Sequence, residues 1–284
     1  MWKKLSILLE MIKFKHSVFA LPFALMAAVL AARGMPPFSV LFWVIVAMVA
    51  ARTAAMTFNR LVDRRFDAAN PRTKGRALPA GLVSPGAAWV LVVVSSLIFF
   101  FACAMLNRLA LALSPFALFM ILFYSYTKRF TWLCHVVLGL AQAFVPLGGW
   151  VAVTGSFAGY PVPLSLGVLF WMAGFDCIYA CLDADFDRSA GLHSMPAAFG
   201  RENAFKLAVL FHYVAFILFL LTGILMGLNG WYYAGIAITA GALFYQHLIV
   251  SPTDLSRIRM SFFSMNGLIS LTLFIAASLA VASA

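Results

Sequence analysis

The stretch SVLFWVIVAMVAARTAAMTFNRLVDRRFD, residues 39–67, decides the fold. From Ser39 to Phe58 only Arg52 interrupts a run of apolar and small residues, and about 20 such residues cross a ~30 Å hydrocarbon core as helix. The run then gives way at once to Asn59, Asp63 and Asp67, with Arg60, Arg64 and Arg65 between them. Carboxylates at a membrane edge are costly and mark function, so this stretch reads as a spanning helix that carries a site at its exit. The rest of the chain agrees. Of 284 residues, 64% are hydrophobic and 10% charged, against about 25% charged in soluble domains. No segment alternates with period two as a membrane barrel would, and backbone groups in lipid are satisfied within helices. The fold class is an all-α membrane protein.

Nine spans are expected, over residues 17–33, 39–58, 85–106, 109–127, 131–153, 163–182, 204–226, 229–250 and 260–282. Gly34-Met35-Pro36-Pro37, Gly155 to Pro163, Gly227-Leu228-Asn229-Gly230 and Ser251-Pro252 separate several of them. The weakest break is Asn107-Arg108, where two apolar runs almost merge. No linker is long enough to divide the chain, so residues 1–284 form one domain.

Basic residues set the orientation. With the N-terminus and every even-numbered connection on one side, that side holds 18 of the 20 Lys and Arg, leaving only Arg33 and Arg108 opposite. The positive-inside rule makes the rich side cytoplasmic, with the N-terminus inside and the C-terminus outside the cytoplasmic (inner) membrane. One helix more or fewer would scatter the charges over both faces. The net charge of +11 is therefore topology and affinity for the anionic leaflet, not a nucleic-acid surface. Trp2-Lys3-Lys4 through Lys13-Phe14-Lys15 reads as an interfacial helix rather than a cleaved signal peptide. Cys103, Cys134, Cys177 and Cys181 have no metal-ligand spacing and read as packing residues. No protein partner is implied.

Of nine acidic residues, six fall in two short stretches. If the second span continues as helix, Asn59, Asp63 and Asp67 are i, i+4 and i+8 on one face. In the second stretch Asp176, Asp183 and Asp187 share a face, while Asp185 points elsewhere as a solvated residue. Both stripes end spans that run toward the cytoplasm, a coincidence the span count did not assume. Carboxylates with an amide oxygen suit Mg²⁺, a hard ion that takes one or two carboxylates plus waters and phosphates. The basic loop Asn70-Pro71-Arg72-Thr73-Lys74-Gly75-Arg76 offers Lys74 and Arg76 to phosphate oxygens. Solvated helix ends are the bland alternative, which two stripes on one side disfavour. A carrier would hold its carboxylates near the midplane. The CDP-alcohol phosphotransferases need an Asp-Gly followed by Ala-Arg, and neither stripe has it.

The segment Asn59-xxx-Asp63-xxx-Asp67, followed by Arg72-Thr73-Lys74-Gly75-Arg76-Ala77-Leu78-Pro79-Ala80-Gly81, resembles the first signature of the UbiA superfamily of intramembrane aromatic prenyltransferases. Asp176-xx-Tyr179-xxx-Asp183-xxx-Asp187 resembles the second, and the likeness runs through nearly the whole chain. Residues 14–24 and 187–196 are similar to the quinone-pathway branch, including members assigned to menaquinone synthesis by the futalosine route.

The resemblance implies helices ringed around a central cavity, with cytoplasmic cap loops over it. It implies Mg²⁺ held by Asn59, Asp63 and Asp67 and by Asp183 and Asp187, bridging a polyprenyl diphosphate. It further implies transfer of the polyprenyl group to a hydroxylated aromatic carboxylate, of the 4-hydroxybenzoate or 1,4-dihydroxy-6-naphthoate type. Haem or chlorophyll precursors are the alternative acceptors. Lys128 and Arg129 become diphosphate ligands, against plain positive-inside anchoring, and Tyr124 a cavity residue. Arg52, seven residues before Asn59, calls for an anionic partner: Asp176 or the acceptor's carboxylate. Arg64 either contacts substrate or pairs with a loop acid. His135, His212 and His247 read as packing or interhelical hydrogen bonds, and His193 as ordering the cap or taking part in chemistry.

Overall fold

The computed structural model describes residues 2–12 and 17–284, all helix and connection with no strand among them. The part of the N-terminal reading that falls on Lys13, Phe14, Lys15 and His16 lies outside the described residues. The helices are α1 (Trp2–Met11), α2 (Ser17–Ala32), α3 (Phe38–Val62), α4 (Arg64–Ala69), α5 (Pro85–Leu106), α6 (Arg108–Thr127) and α7 (Cys134–Thr154). They continue with α8 (Val162–Ala180), α9 (Ala184–Ser189), α10 (Met195–Leu225), α11 (Gly230–Leu248), α12 (Ile258–Met260) and α13 (Asn266–Ala282).

Each segment read as a span carries a helix, but among the described residues length and apolarity qualify seven to cross a membrane. These are Phe38–Val62, Pro85–Leu106, Arg108–Thr127, Cys134–Thr154, Val162–Ser189, Met195–Leu225 and Phe263–Ala282. In α2 the apolar part, Phe19–Ala32, is shorter, and α11 is not among the seven.

Local chemistry explains the boundaries. Ser84 caps α5 by accepting from Ala87 N, with Pro85 at the first helical position where no N–H is needed. At the weak break, Asn107 turns extended and its side chain accepts from Ala110 N at 2.9 Å. Its amide also donates to Val151 O at 2.7 Å. One asparagine thus ends α5, starts α6 and ties both to α7.

Helix α8 is the axis of packing: most of its residues are buried, whereas α6 buries only Ser114, Leu118, Ser125 and Thr127. Trp171 of α8 sits against Phe23 of α2, which stacks on Phe219 of α10. Glycines bring neighbouring backbones close, the small-residue packing typical of membrane helices. A Cβ on Gly139 of α7 would overlap the Leu169 carbonyl of α8, and one on Gly149 would overlap the Ala24 carbonyl of α2. Overpacking costs ~1–3 kcal/mol. Gly139→Leu is therefore expected to lower the thermal unfolding midpoint of the detergent-solubilised protein by about 5 °C or more. An unchanged midpoint would show that the two helices can separate freely.

Two helix ends carry the acidic stripes, and neither is a plain continuation. α3 stops at Val62, Asp63 leaves helical geometry, and α4 resumes. Backbone bonds from Asp63 N to Asn59 O (2.9 Å) and from Asp67 N to Asp63 O (2.8 Å) preserve the four-residue spacing across this break. α8 ends at Ala180, and a 3₁₀ turn, Cys181–Asp183, leads into α9. The expectation of one uninterrupted face from Asp176 to Asp187 is corrected there, because a tighter turn rotates the residues beyond it.

Candidate active site

The two helix ends meet at the mouth of a cavity of about 380 Å³. The loop after α4 closes the contact. Asn70 Nδ2 donates to Asp183 Oδ1 at 2.9 Å, and Arg72 Nε donates to the same oxygen at 2.8 Å. Arg72 Nη2 pairs with Asp183 Oδ2, completing a two-point fork. Asn70 Oδ1 also accepts from Arg72 N at 2.9 Å, a side-chain turn that aims the arginine inward.

Each of the four carboxylates at the mouth is held by a basic side chain. Arg129 lies 3.2 Å from Asp63, Arg76 2.6 Å from Asp67 and Lys128 2.7 Å from Asp187, while Arg72 holds Asp183. Arg60 approaches Asp67 at 3.8 Å. Ser194, which caps α10, donates to Asp187 Oδ2 at 2.8 Å. Burial pushes the Asp63 carboxyl above the usual carboxylate range, and Arg129 opposes that shift. For Arg72, burial alone would lower the guanidinium, but its bonds to Asp183 hold it above its ordinary value.

The mouth therefore sets five basic groups (Arg60, Arg72, Arg76, Lys128, Arg129) against four acids (Asp63, Asp67, Asp183, Asp187). Such a near-balanced set suits a cation and a polyanion arriving together better than either alone. Among the described residues no three His, Cys, Asp or Glu side chains converge into a ready cage. The donor set still fits Mg²⁺, which uses few protein ligands alongside phosphate oxygens. Its atoms are hard oxygens, and among the described residues the buried Asp67 Oδ2 has no hydrogen-bond partner.

Of the residues expected at the site, Asn59, Asp63, Asp67, Asp183, Asp187, Arg52, Tyr124, Lys128, Arg129, Asp176 and Arg76 line the cavity. Arg64 and Lys74 are exposed and do not join the lining. Asp185 is exposed too and pairs with Arg188 and Arg201, as its off-face position implied. Sequence reasoning did not single out Arg72, Asn70, Arg60 or Ser194. Arg72 and Asn70 lay inside the basic loop, but nothing in their spacing distinguished them from Lys74. His135 makes an interhelical hydrogen bond, one of the two readings its sequence context offered: its Nδ1 lies 2.7 Å from Asp176 Oδ2. His212 and His247 hydrogen-bond to each other at 2.8 Å between α10 and α11, the interhelical bond their sequence context favoured. His193 is exposed, and its backbone N–H donates to Lys128 O at 2.7 Å, which ties the connection after α9 to the end of α6.

Beyond the mouth the walls turn apolar. Met48, Ala51, Ile121, Ala141 and Val145 are shared with a second, mainly apolar cavity of about 150 Å³ among α3, α5, α6 and α7. The charged cavity thus borders an apolar one across these five residues.

Comparison with known proteins places the chain among similar sequences and folds. A "4-hydroxybenzoate octaprenyltransferase" of Aromatoleum aromaticum is 33% identical over 248 residues, covering 87% of this chain and 83% of that protein. The protein of the same name from Thiobacillus denitrificans is 36% identical over 221 residues, covering 77% and 74%. The apo structure of a UbiA homolog from Aeropyrum pernix superposes with a TM-score of 0.85 at 35% identity, covering 92% of this chain and 96% of that one. A UbiA homolog from Archaeoglobus fulgidus, solved with DMAPP and Mg²⁺, shares the fold at a TM-score of 0.75 and 20% identity, covering 97% and 99%. The pattern of the UbiA prenyltransferase family matches residues 20–268, and the chain belongs to that family.

Proposed function

We propose that the protein transfers a polyprenyl group from polyprenyl diphosphate to a hydroxylated aromatic carboxylate, with Mg²⁺, in respiratory quinone biosynthesis. The acceptor is of the 4-hydroxybenzoate or 1,4-dihydroxy-6-naphthoate type. The observation that carries this reading is the convergence of both acidic stripes, with their basic partners, at the mouth of a cavity that borders an apolar one. The names of the relatives from Aromatoleum and Thiobacillus support a long donor and a phenolic acid. The topology that goes with it has nine spans, the N-terminus in the cytoplasm, the C-terminus outside, and the cap loops and mouth on the cytoplasmic face of the inner membrane.

Asn59, Asp63 and Asp67 would hold one Mg²⁺ and Asp183 and Asp187 another. When bound, the metal offsets the charge that grows on the departing diphosphate. Arg72, Arg76, Lys128 and Arg129 contribute fixed positive charge at the same place, without reorganisation during the reaction. The allylic C–O bond breaks, and diphosphate leaves with the electron pair. Tyr124 presents an aromatic face that stabilises the cation without trapping it. Arg52 takes the acceptor's carboxylate and so turns the ring toward the cation. A ring carbon then forms the new C–C bond, and its proton passes to the released diphosphate, Asp176 or water, which restores aromaticity. The bordering apolar cavity receives part of the prenyl chain.

Membranes containing the protein, supplied with polyprenyl diphosphate, Mg²⁺ and a panel of aromatic acids, are expected to yield a C-prenylated acid identifiable by mass spectrometry. Product formation should stop when Mg²⁺ is chelated. No product from any hydroxylated acid, with substrate flux across sealed vesicles instead, would favour a carrier.

A further inference from the structure

In the middle of the cavity, α7 and α8 place a polar pair that the diphosphate chemistry above does not use. His135 Nδ1 lies 2.7 Å from Asp176 Oδ2. On its other side, His135 Nε2 lies 3.3 Å from the backbone N of Met195. A backbone N–H only donates, so Nε2 accepts there, and the one ring proton of a neutral imidazole sits on Nδ1. His135 therefore gives its single N–H to Asp176 Oδ2. The histidine is 3% exposed while Asp176 keeps 20%, and both face the cavity. Among the described residues Asp176 Oδ1 makes no hydrogen bond. One oxygen is pinned and the other is presented to ligand.

A carboxylate in a sheltered wall is costly without hydrogen-bond donors, which makes it selective for a ligand that brings one. A diphosphate brings only acceptors, and a prenyl chain brings nothing polar. The remaining ligand of the proposed reaction carries a phenolic O–H. We propose that Asp176 Oδ1 accepts the hydrogen bond of the aromatic acceptor's ring hydroxyl, with His135 as the positioning residue that fixes the carboxylate. An O–H···O⁻ bond moves electron density into the ring carbons ortho and para to that oxygen, the carbons that attack an allylic cation. This rests on the prenyl-transfer reading. With Arg52 on the ring's carboxylate, the two polar ends of the acceptor are read by two different helices.

His135 also holds the start of α10, next to Ser194 and its bond to Asp187, so a crude deletion could disturb the mouth as well. The test separates these effects by binding. The full-length protein in nanodiscs, with Mg²⁺ and an unreactive prenyl thiodiphosphate, is titrated with the acid that the wild type prenylates and with the O-methyl ether of that acid. The wild type is expected to prefer the hydroxy acid by about 30-fold, the scale of a charge-assisted hydrogen bond. Asp176→Asn should shrink that preference below about threefold, while thiodiphosphate affinity and its Mg²⁺ dependence stay within about threefold. His135→Leu should weaken hydroxy-acid binding about tenfold, and His135→Asn, which keeps an N–H toward Asp176, should recover most of it. A full hydroxyl preference in Asp176→Asn overturns the assignment. So does an equal loss of thiodiphosphate binding, which would make the pair structural. A wild type that prenylates no aromatic acid overturns the underlying reading instead, and turnover of the wild type alone reveals that.

Discussion

Asp63→Ala is expected to lower Mg²⁺-dependent kcat/KM by at least about 10³-fold, and excess Mg²⁺ should not restore it. The side chain sits where α3 ends and α4 begins, held by Asn59 Nδ2 at 3.0 Å and by Arg129 at 3.2 Å. The backbone bonds that carry the chain across this break, Asp63 N to Asn59 O and Asp67 N to Asp63 O, survive the substitution. The loss therefore falls on the carboxylate and not on the fold. Removing it changes the mouth from five bases against four acids to five against three. Diphosphate could still be attracted, but the oxygen donors that organise a divalent ion around it would be broken up. Since the Asp63 side chain is 29% exposed, the thermal midpoint should stay within about 3 °C of wild type. Steady-state transfer across a Mg²⁺ series, beside a melting curve, checks both halves. Near-normal Mg²⁺-dependent turnover in Asp63→Ala would falsify the metal assignment.

Both stripes were legible because a helix repeats every 3.6 residues, so four-residue spacing is a statement about direction. The backbone bonds around Asp63 keep that spacing even where α3 gives way to α4. The same logic separated Asp185, which lies outside with Arg188 and Arg201. Four features escaped, each for its own reason. The 3₁₀ turn at Cys181–Asp183 has no marker such as Gly or Pro, so the stretch read as continuous helix. The pairing of His135 with Asp176 joins residues 41 apart on two helices, and a lone histidine in an apolar run does not say what faces it. In the loop after α4, composition gave the charge but not its direction. The Asn70 side-chain turn directs Arg72 to Asp183 in the cavity lining, which Lys74 does not join. Arg64 had the right neighbours but the wrong face.

Arg72 therefore carries the second large effect. Its guanidinium makes the fork to Asp183, approaches Tyr179 Oη at 3.3 Å and lies 5.5 Å from that ring's centre. These contacts join the loop after α4 to the end of α8, and so hold one stripe against the other. Arg72→Ala should leave Asp183 with Asn70 alone and let the loop swing away, lowering kcat/KM by about 10²-fold. Arg72→Lys restores the charge without the planar fork, and should remain about tenfold below wild type. The exposed ion pairs of Asp185 supply the contrast. They use the same side-chain chemistry in water, where such pairs are worth ~0–1 kcal/mol, so Asp185→Ala should keep activity within about twofold. Initial rates on membranes matched for protein content measure all three. Equal losses in Arg72→Ala and Asp185→Ala would mean that charge alone serves at this face, and that the fork has no part in joining the stripes.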